Sequence, residues 1–538
     1  MSRKKGIYVM AAFGLLCLFL VYSLSVLRTV LDGEEEQTNV GAYYSLPADT
    51  STEDPLQYIA EDFSVDERFY SNLPIVILTI DGEITDYKKF ASGSEEVDES
   101  VEPYTSGSIS IIDQGDFHNC LTDEPVYTSL IEIKKRGHSS FSYDKPQYLI
   151  KTVYEDGTKN NTEILNMGEG DSWVLNGSMA DKSMLRNYLP YRVASEIGGG
   201  VMGPDSQYCE VLMLKDGTYE YCGVYLLMEA ISIGESRVNI DKYNQKNVYT
   251  SYIVRRDRFT HFDEMLDTYG RLSGLADEWI GVKYPSEAKL TEAAKRYIEE
   301  DFSNIEKVIY AQDENKFKVY DKYIDMDSFV DYFLINEFFG NYDAGEHSTY
   351  MYKNSGDRLC IGPVWDFDQA MNNYYGEEMN PYTLAFQTKP FFENLVQDKR
   401  FLDCLKKRYS GLRQSELSEE HIFGIIDETV AYLKSARQRE WYRWAADYED
   451  GSFENPHNYY LQDYEKDNIT ISRFNVNYDQ ELYVIKTYLH THGNIIQTEL
   501  NKLYGYAEYN TSMKNENVLF LLIIMTLLFV PSILINRK

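Results

Sequence analysis

From Phe329 the apolar positions recur at i, i+3 and i+4. Phe329, Tyr332, Phe333, Asn336, Phe339 and Gly340 share one face, which predicts a helix that Gly340 stops. Asp343 then sits in the loop just past the helix end. Two short runs rich in aromatic and β-branched residues follow, TYMYK and LCIGPVW, separated by NSGD, and they read as a hairpin. Asp366 and Asp368 emerge where its second strand ends. A helix end and a strand end are thus expected to deliver three carboxylates to one place.

Upstream the pattern is mostly of period two. LPIVILTIDG, from Leu73, reads as a buried strand, and VYTSLIEIKKRGHSSFSYDKPQYLIKTVYEDG as strand, turn and strand, with Leu149 and Lys151 on one face and Ile150 on the other. CEVLMLKDGTYEYCGVYLLMEAI is a hairpin turning at Asp216-Gly217. Between them, Asp181 to Gly198 predicts a helix with an Asp N-cap, kinked at Pro190. Charged amphipathic helices follow after Ser286 and again from Phe391 to Tyr448, where Trp441, Tyr442 and Trp444 are expected on a packed face, with sugar or partner binding as the rarer use. Residues 28–72 read as an acidic tether and residues 91–109 as a surface insertion.

Two segments are apolar enough to leave water. Gly6 to Leu27 follows Arg3, Lys4 and Lys5, and Val518 to Ile535 precedes Arg537 and Lys538. A bilayer core needs about 20 such residues, and basic flanks stay cytoplasmic. The expectation is a double-pass protein of the cell membrane, with a cytoplasmic tail at 1–5, spans at 6–27 and 518–535, both termini inside and the main domain outside.

Composition narrows the partners. A chain of 538 residues with net charge -34 has no broad surface to neutralise a nucleic-acid backbone, so no nucleic-acid partner is expected. Of six cysteines, Cys17 falls in the first apolar segment and leaves an odd number. Cys209 and Cys222 flank the Asp-Gly hairpin two residues out of opposition, and neither a disulfide framework nor a zinc pattern is predicted.

The chemistry-bearing residues are those three carboxylates. Asp343, Asp366 and Asp368 suit a divalent cation or general-base work; the plain alternative is a turn cap and two solvated loop acids. The turn RGHSS, with Arg136, Gly137 and Ser139, offers backbone N–H groups to phosphate or is a simple hairpin loop.

The blocks NEFFGNYD, TYMYK and GPVWDFD resemble those of the CotH kinase family, the spore-coat protein H type of atypical protein kinase. So do KKRGHSS, KPQYLIK, WVLNGSMADKSMLRNYLPYRVASEIG and GVYLLMEAI, so that the resemblance spans residues 73–385, ahead of a helical region at 386–512. It implies an α+β, atypical protein-kinase-like two-lobed fold that uses ATP and Mg²⁺ or Mn²⁺ to phosphorylate Ser or Thr of a protein substrate. On that resemblance Asp343 is the catalytic acid, Asp366 and Asp368 hold metal, and Arg136, Gly137, Ser139, Lys151 and Glu229 contact nucleotide. Lys145 competes with Lys151 for the strand-lysine role, Glu196 and Asp181 compete to pair with it, and Arg186 contacts phosphate or forms a salt bridge. Where the protein-kinase catalytic loop places an Asn five residues after its Asp, this chain has Ser348, a poorer metal ligand, which keeps a catalytically inactive, partner-binding protein in view. A carboxylate-based hydrolase is the third reading.

Overall fold

The computed structural model describes residues 46–535 apart from 92–93, 99, 199–202, 259–264, 276–278, 375–379, 450–458, 467 and 472–476. Its first layer is a sheet of seven long strands: β1 (Ile75–Ile80), β2 (Thr105–Ile112), β3 (Tyr127–Arg136), β4 (Gln147–Val153), β5 (Ser172–Asn176), β6 (Ser206–Lys215) and β7 (Thr218–Glu229). Their order is β7-β5-β4-β3-β2-β1-β6, and β6 pairs back onto β7, so the sheet closes on itself like a barrel. The β6–β7 hairpin turns at Asp216-Gly217, as its sequence predicts. Because β6 also runs parallel to β1 on its other edge, no open edge remains between them. A register shift between Val211 and Leu212 sharpens the bend that closure requires.

Alternation along these strands fills the barrel. Val76, Ile109, Ile131, Ile133, Ile150, Trp173 and Leu227 point inward and are almost wholly buried. Leu149 and Lys151 face outward on β4, as the period of two predicts. Cys209 lies opposite Tyr225, not Cys222, and both thiols are free.

The second layer is a four-stranded antiparallel sheet, in the order β9-β8-β10-β11, of β8 (Tyr252–Asp257), β9 (Trp279–Tyr284), β10 (Thr349–Lys353) and β11 (Cys360–Ile361). The helices are α1 (Tyr188–Ile197), α2 (Glu292–Ile309), α3 (Met326–Phe338), α4 (Lys399–Leu412), α5 (Glu419–Tyr432), α6 (Lys434–Glu449) and α7 (Tyr478–Ile535); α3 packs on β11 of this sheet, α6 on β7 of the first, and α4 and α7 on α3 and each other. Helix α3 starts three residues before the predicted run, where the Asp325 side chain accepts from the Ser328 N–H at 3.1 Å. It is buried along nearly its whole length and not on one face only, because helices cover one side and the second sheet the other.

The expected two-lobed kinase arrangement is corrected. The fold is mixed α+β, with a closed, barrel-like seven-stranded sheet in place of a clear pair of kinase lobes, since the long β6–β7 hairpin reaches both edges of the sheet. The double-pass placement in a cell membrane is corrected as well. Among the described residues no helix is long and apolar enough to cross a membrane. The first expected span, 6–27, lies outside the described residues, and 518–535 is the continuation of α7, whose earlier turns bury Ile485, Leu489, Ile496 and Leu500 in the domain. Residues 46–72, expected as tether, pack on the domain: Ser64–Val65 pairs with β7, and the Asn72 amide donates to the Tyr432 carbonyl at 2.6 Å.

Helix α1 is shorter than predicted. It begins at Tyr188, so Pro190 falls in the first turn, where its missing N–H costs nothing. Helix α6 carries the expected packed aromatics: Trp444 donates to the Cys222 carbonyl at 3.2 Å and Trp441 to that of Lys182 at 3.3 Å. The same helix inserts Glu440 against the β7 bulge at Gly223, where an added Cβ would lie 2.3 Å from the carboxylate. Glu440 accepts from Lys145 at 2.6 Å, the Val224 N–H at 2.7 Å and the Tyr448 hydroxyl at 2.8 Å, all without solvent exposure. Lys145→Met, which strands that carboxylate, is expected to destabilise the domain by about 3–5 kcal/mol, and Lys145→Met with Glu440→Leu to recover part of the loss. Urea unfolding checks both, and a single-variant cost below about 1 kcal/mol, the worth of a surface pair, is the contrary result.

Candidate active site

A cavity of about 800 Å³ opens between the outward face of β3 and β4 and the second sheet. Each acid arrives there by a different route. Helix α3 ends at Gly340, whose φ of 62° turns the chain away, and Asp343 follows in a tight loop. Its carbonyl accepts from the His347 N–H at 2.9 Å and the Glu346 N–H at 3.3 Å. The loop is held from outside by Arg256 on β8, which donates to the Gly345 carbonyl at 2.8 Å. Asp366 and Asp368 come from the segment after β11. Asp366 has a φ of 63° and Ser348 one of 48°, a conformation that costs a non-glycine residue about 1–3 kcal/mol and persists only where neighbours impose it. The Ser348 hydroxyl donates to Asp366 Oδ2 at 3.0 Å and so ties the two loops together.

Arg136, Gly137, Asp343, Ser348, Asp366 and Asp368 line this one cavity. Burial pushes the Asp366 carboxyl above its ordinary range; the Arg136 guanidinium opposes that and Asp343 adds to it. Burial lifts Asp368 further, reinforced by Asp366 and Asp343. Arg136 is itself braced by Gln147, to which it donates, and lies 5.6 Å over the Trp365 ring. Gly137 has a φ of 107°, and a Cβ there would sit 1.9 Å from Ser140 Oγ.

The remaining candidates fall elsewhere. Lys151 lies on the same outer face but beyond the cavity, 3.8 Å from Glu132 and 3.7 Å over the Tyr104 ring. Lys145 is the buried partner of Glu440 already described. Neither acid expected to pair with a strand lysine does so: Asp181 binds Arg186 at 2.8 Å, and Glu196 binds Arg192 at 2.9 Å and His421 at 2.6 Å. Arg186 takes the salt bridge and not the phosphate. Glu229 lies outside the main cavity, 3.4 Å from Arg237, and burial raises its carboxyl to about 7. Its neighbours Ala230 and Ile231 do line the cavity, with Leu149 and Val174, and form an apolar wall. Ser139 opens the short turn Ser139–Ser142 and its side chain is outside the described residues; Ser140 lines the cavity instead.

Sequence reasoning missed the cavity's other cations, Lys88, Lys134, Arg255, Arg258 and Lys283. Lys134 was within reach, because the period of two puts it on the face of Arg136 while Lys135 turns away to Asp86. The rest come from distant segments with no shared motif.

Among the described residues no three His, Cys, Asp or Glu side chains stand close enough to hold a metal ion by themselves. The donor chemistry nonetheless fits Mg²⁺ or Mn²⁺, which such sites take through one or two carboxylates with the remaining places left to phosphate and water. Two mutually repelling, partly buried acids facing a basic rim make that pair available.

The class these features define is a mixed α+β, kinase-like protein. Residues 133–494, most of the chain, match the family model described as CotH kinase protein, and the chain belongs to that family. No curated protein matches it. The match begins later and ends later than the resemblance read from the sequence blocks, and it takes in α4, α5, α6 and the start of α7.

Gly137→Ala is expected to destabilise the protein by about 1–3 kcal/mol, because φ at this position and the Ser140 contact both exclude a side chain. Urea unfolding of the full chain reads this, and a stability equal to the parent's contradicts it.

Proposed function

We propose that the protein is an ATP-dependent protein kinase that transfers the γ-phosphoryl group to a Ser or Thr hydroxyl of a protein substrate. The observation that supports this most is the convergence of Asp343, Asp366 and Asp368 with Arg136 in one cavity; membership of the family agrees with it.

Each part has a task. Asp366, with Asp368 beside it, would hold Mg²⁺ or Mn²⁺, which when bound neutralises phosphate charge. Arg136 and the backbone at Gly137 face the phosphates as fixed positive groups, in place of the more distant Lys151. Leu149, Val174, Ala230 and Ile231 offer the flat apolar surface that a purine base needs. Asp343 orients the attacking hydroxyl and takes its proton as the oxygen–phosphorus bond forms and the bond to the β-phosphate oxygen breaks. A catalytically inactive, partner-binding protein is the second reading, favoured by Ser348, whose hydroxyl is engaged by Asp366 and which stands where the protein-kinase catalytic loop has an amide.

Full-length protein given γ-labelled ATP and Mg²⁺ or Mn²⁺ is expected to transfer label to itself or to a generic acceptor, with Asp366→Asn and Asp343→Asn each lowering the rate about 100-fold or more, as loss of a charge-stabilising group does. A folded protein that neither transfers label nor melts higher with ATP and metal supports the second reading.

The pH dependence follows from the raised carboxyls. A cation must displace their protons, so metal-dependent ATP affinity is expected to strengthen as pH rises above the ordinary carboxylate range. Asp368→Asn flattens that slope in calorimetric titrations; an unchanged slope counts against Asp368 as a metal-site acid.

A further inference from the structure

The loop from Asp366 to Asn372 holds three non-glycine residues at positive φ: Asp366 at 63°, Met371 at 49° and Asn372 at 64°. Such a run is stable only if something outside it fixes the backbone. The Met371 N–H donates to the Phe339 carbonyl at 2.8 Å, and the start of α1 holds the Asp366 end. Tyr191 accepts from the Asp366 N–H at 3.1 Å, and Asn187 Oδ1 accepts from the Phe367 N–H at 2.7 Å. The Tyr191 hydroxyl donates in turn to the same Asn187 oxygen at 3.1 Å, so the two side chains form one unit that grips consecutive amides. Asn187 is anchored behind, its amide donating to Ser178 Oγ at 3.1 Å. The Tyr191 ring lies 6.2 Å from Trp365 and 6.0 Å from Phe367, the two residues flanking the gripped aspartate. No side chain of α1 reaches into the cavity.

We propose that Asn187 and Tyr191 are positioning residues for Asp366: by holding its amide and the next one they fix the left-handed backbone that aims its carboxylate at the metal and the phosphates. This rests on the reading of Asp366 as a metal-site acid.

The test uses full-length protein and Mn²⁺, with free Mn²⁺ followed by its paramagnetic resonance signal, in the presence and absence of a non-hydrolysable ATP analogue. Tyr191→Phe keeps the ring packing and removes only the hydroxyl. It is expected to weaken Mn²⁺ binding about 10-fold or more, the usual effect of losing a group that orients a ligand. Asn187→Ala is expected to do at least as much. Tyr208→Phe is the matched control, since its buried hydroxyl donates to the Met184 carbonyl at 2.7 Å in the same core. It is expected to lower the melting temperature comparably and leave Mn²⁺ affinity unchanged. Parent-like Mn²⁺ affinity in Tyr191→Phe, or an equal loss in Tyr208→Phe, overturns the positioning role while leaving the kinase reading intact. Absence of Mn²⁺ binding in the parent protein and in Asp366→Asn alike overturns both.

Discussion

A guanidinium with no solvent exposure sits where three distant parts of the chain meet. Arg186 is 2.8 Å from Asp181 and 2.8 Å from Glu481, and donates to the Ala370 carbonyl at 3.0 Å. A buried charge is tolerated only when its donors and its counter-charge are supplied, and here they come from the segment before α1, from α7 and from the loop after Asp368. None of the three can be withdrawn without stranding the charge. The loop that follows Asp366 and Asp368 is thus tied to the C-terminal helix through one buried charge. This accounts for a family match that continues to residue 494.

The same logic recurs along α6. Glu440 on α6 reaches Lys145 and the β7 bulge, and Arg439 beside it donates to Glu210 on β6 at 2.7 Å. Both pairs are buried, and both are well supplied with hydrogen bonds, the condition under which such pairs hold a specific arrangement. The helices after residue 386 are thus structural partners of the sheet and of the site, not an appendage. In a chain of net charge -34 these internal cations are committed, and the cavity gathers further basic side chains among its acids.

What was legible in the sequence followed from short-range rules. The Asp216-Gly217 turn, the outward Leu149 and inward Ile150, the helix ending at Gly340 and the convergence of Asp343, Asp366 and Asp368 all depend on local period or turn chemistry. The closed sheet was not legible, because it depends on β6 pairing with β1 across more than a hundred residues, which no local pattern encodes. The lysine assignment failed for a related reason. Lys145 and Lys151 lie on the same segment, and only the position of Glu440, far along the chain, shows that one is internal. Lys151 is on the correct face but one step too far along its strand, a distinction that period two cannot make. The apolar run 518–535 was read as a segment apart, whereas the helix holding it begins forty residues earlier against the domain.

The positive φ angles at Ser348 and Asp366 are the clearest local sign of function, since neither residue is glycine and nothing in a simple hairpin demands them. The strain lies on the two loops that bear the carboxylates, and the Ser348–Asp366 hydrogen bond joins them. A glycine at either position would relieve the strain and loosen the carboxylate, whose worth lies in being held before the ligand arrives. Each loop has its own support: Arg256 on the second sheet holds one, and α1 holds the other. Two separately supported loops joined at their tips can admit a ligand between sheet and barrel while keeping the acids fixed relative to each other. Such an arrangement agrees with the proposed phosphoryl transfer, whose catalysis is mostly a matter of position and charge.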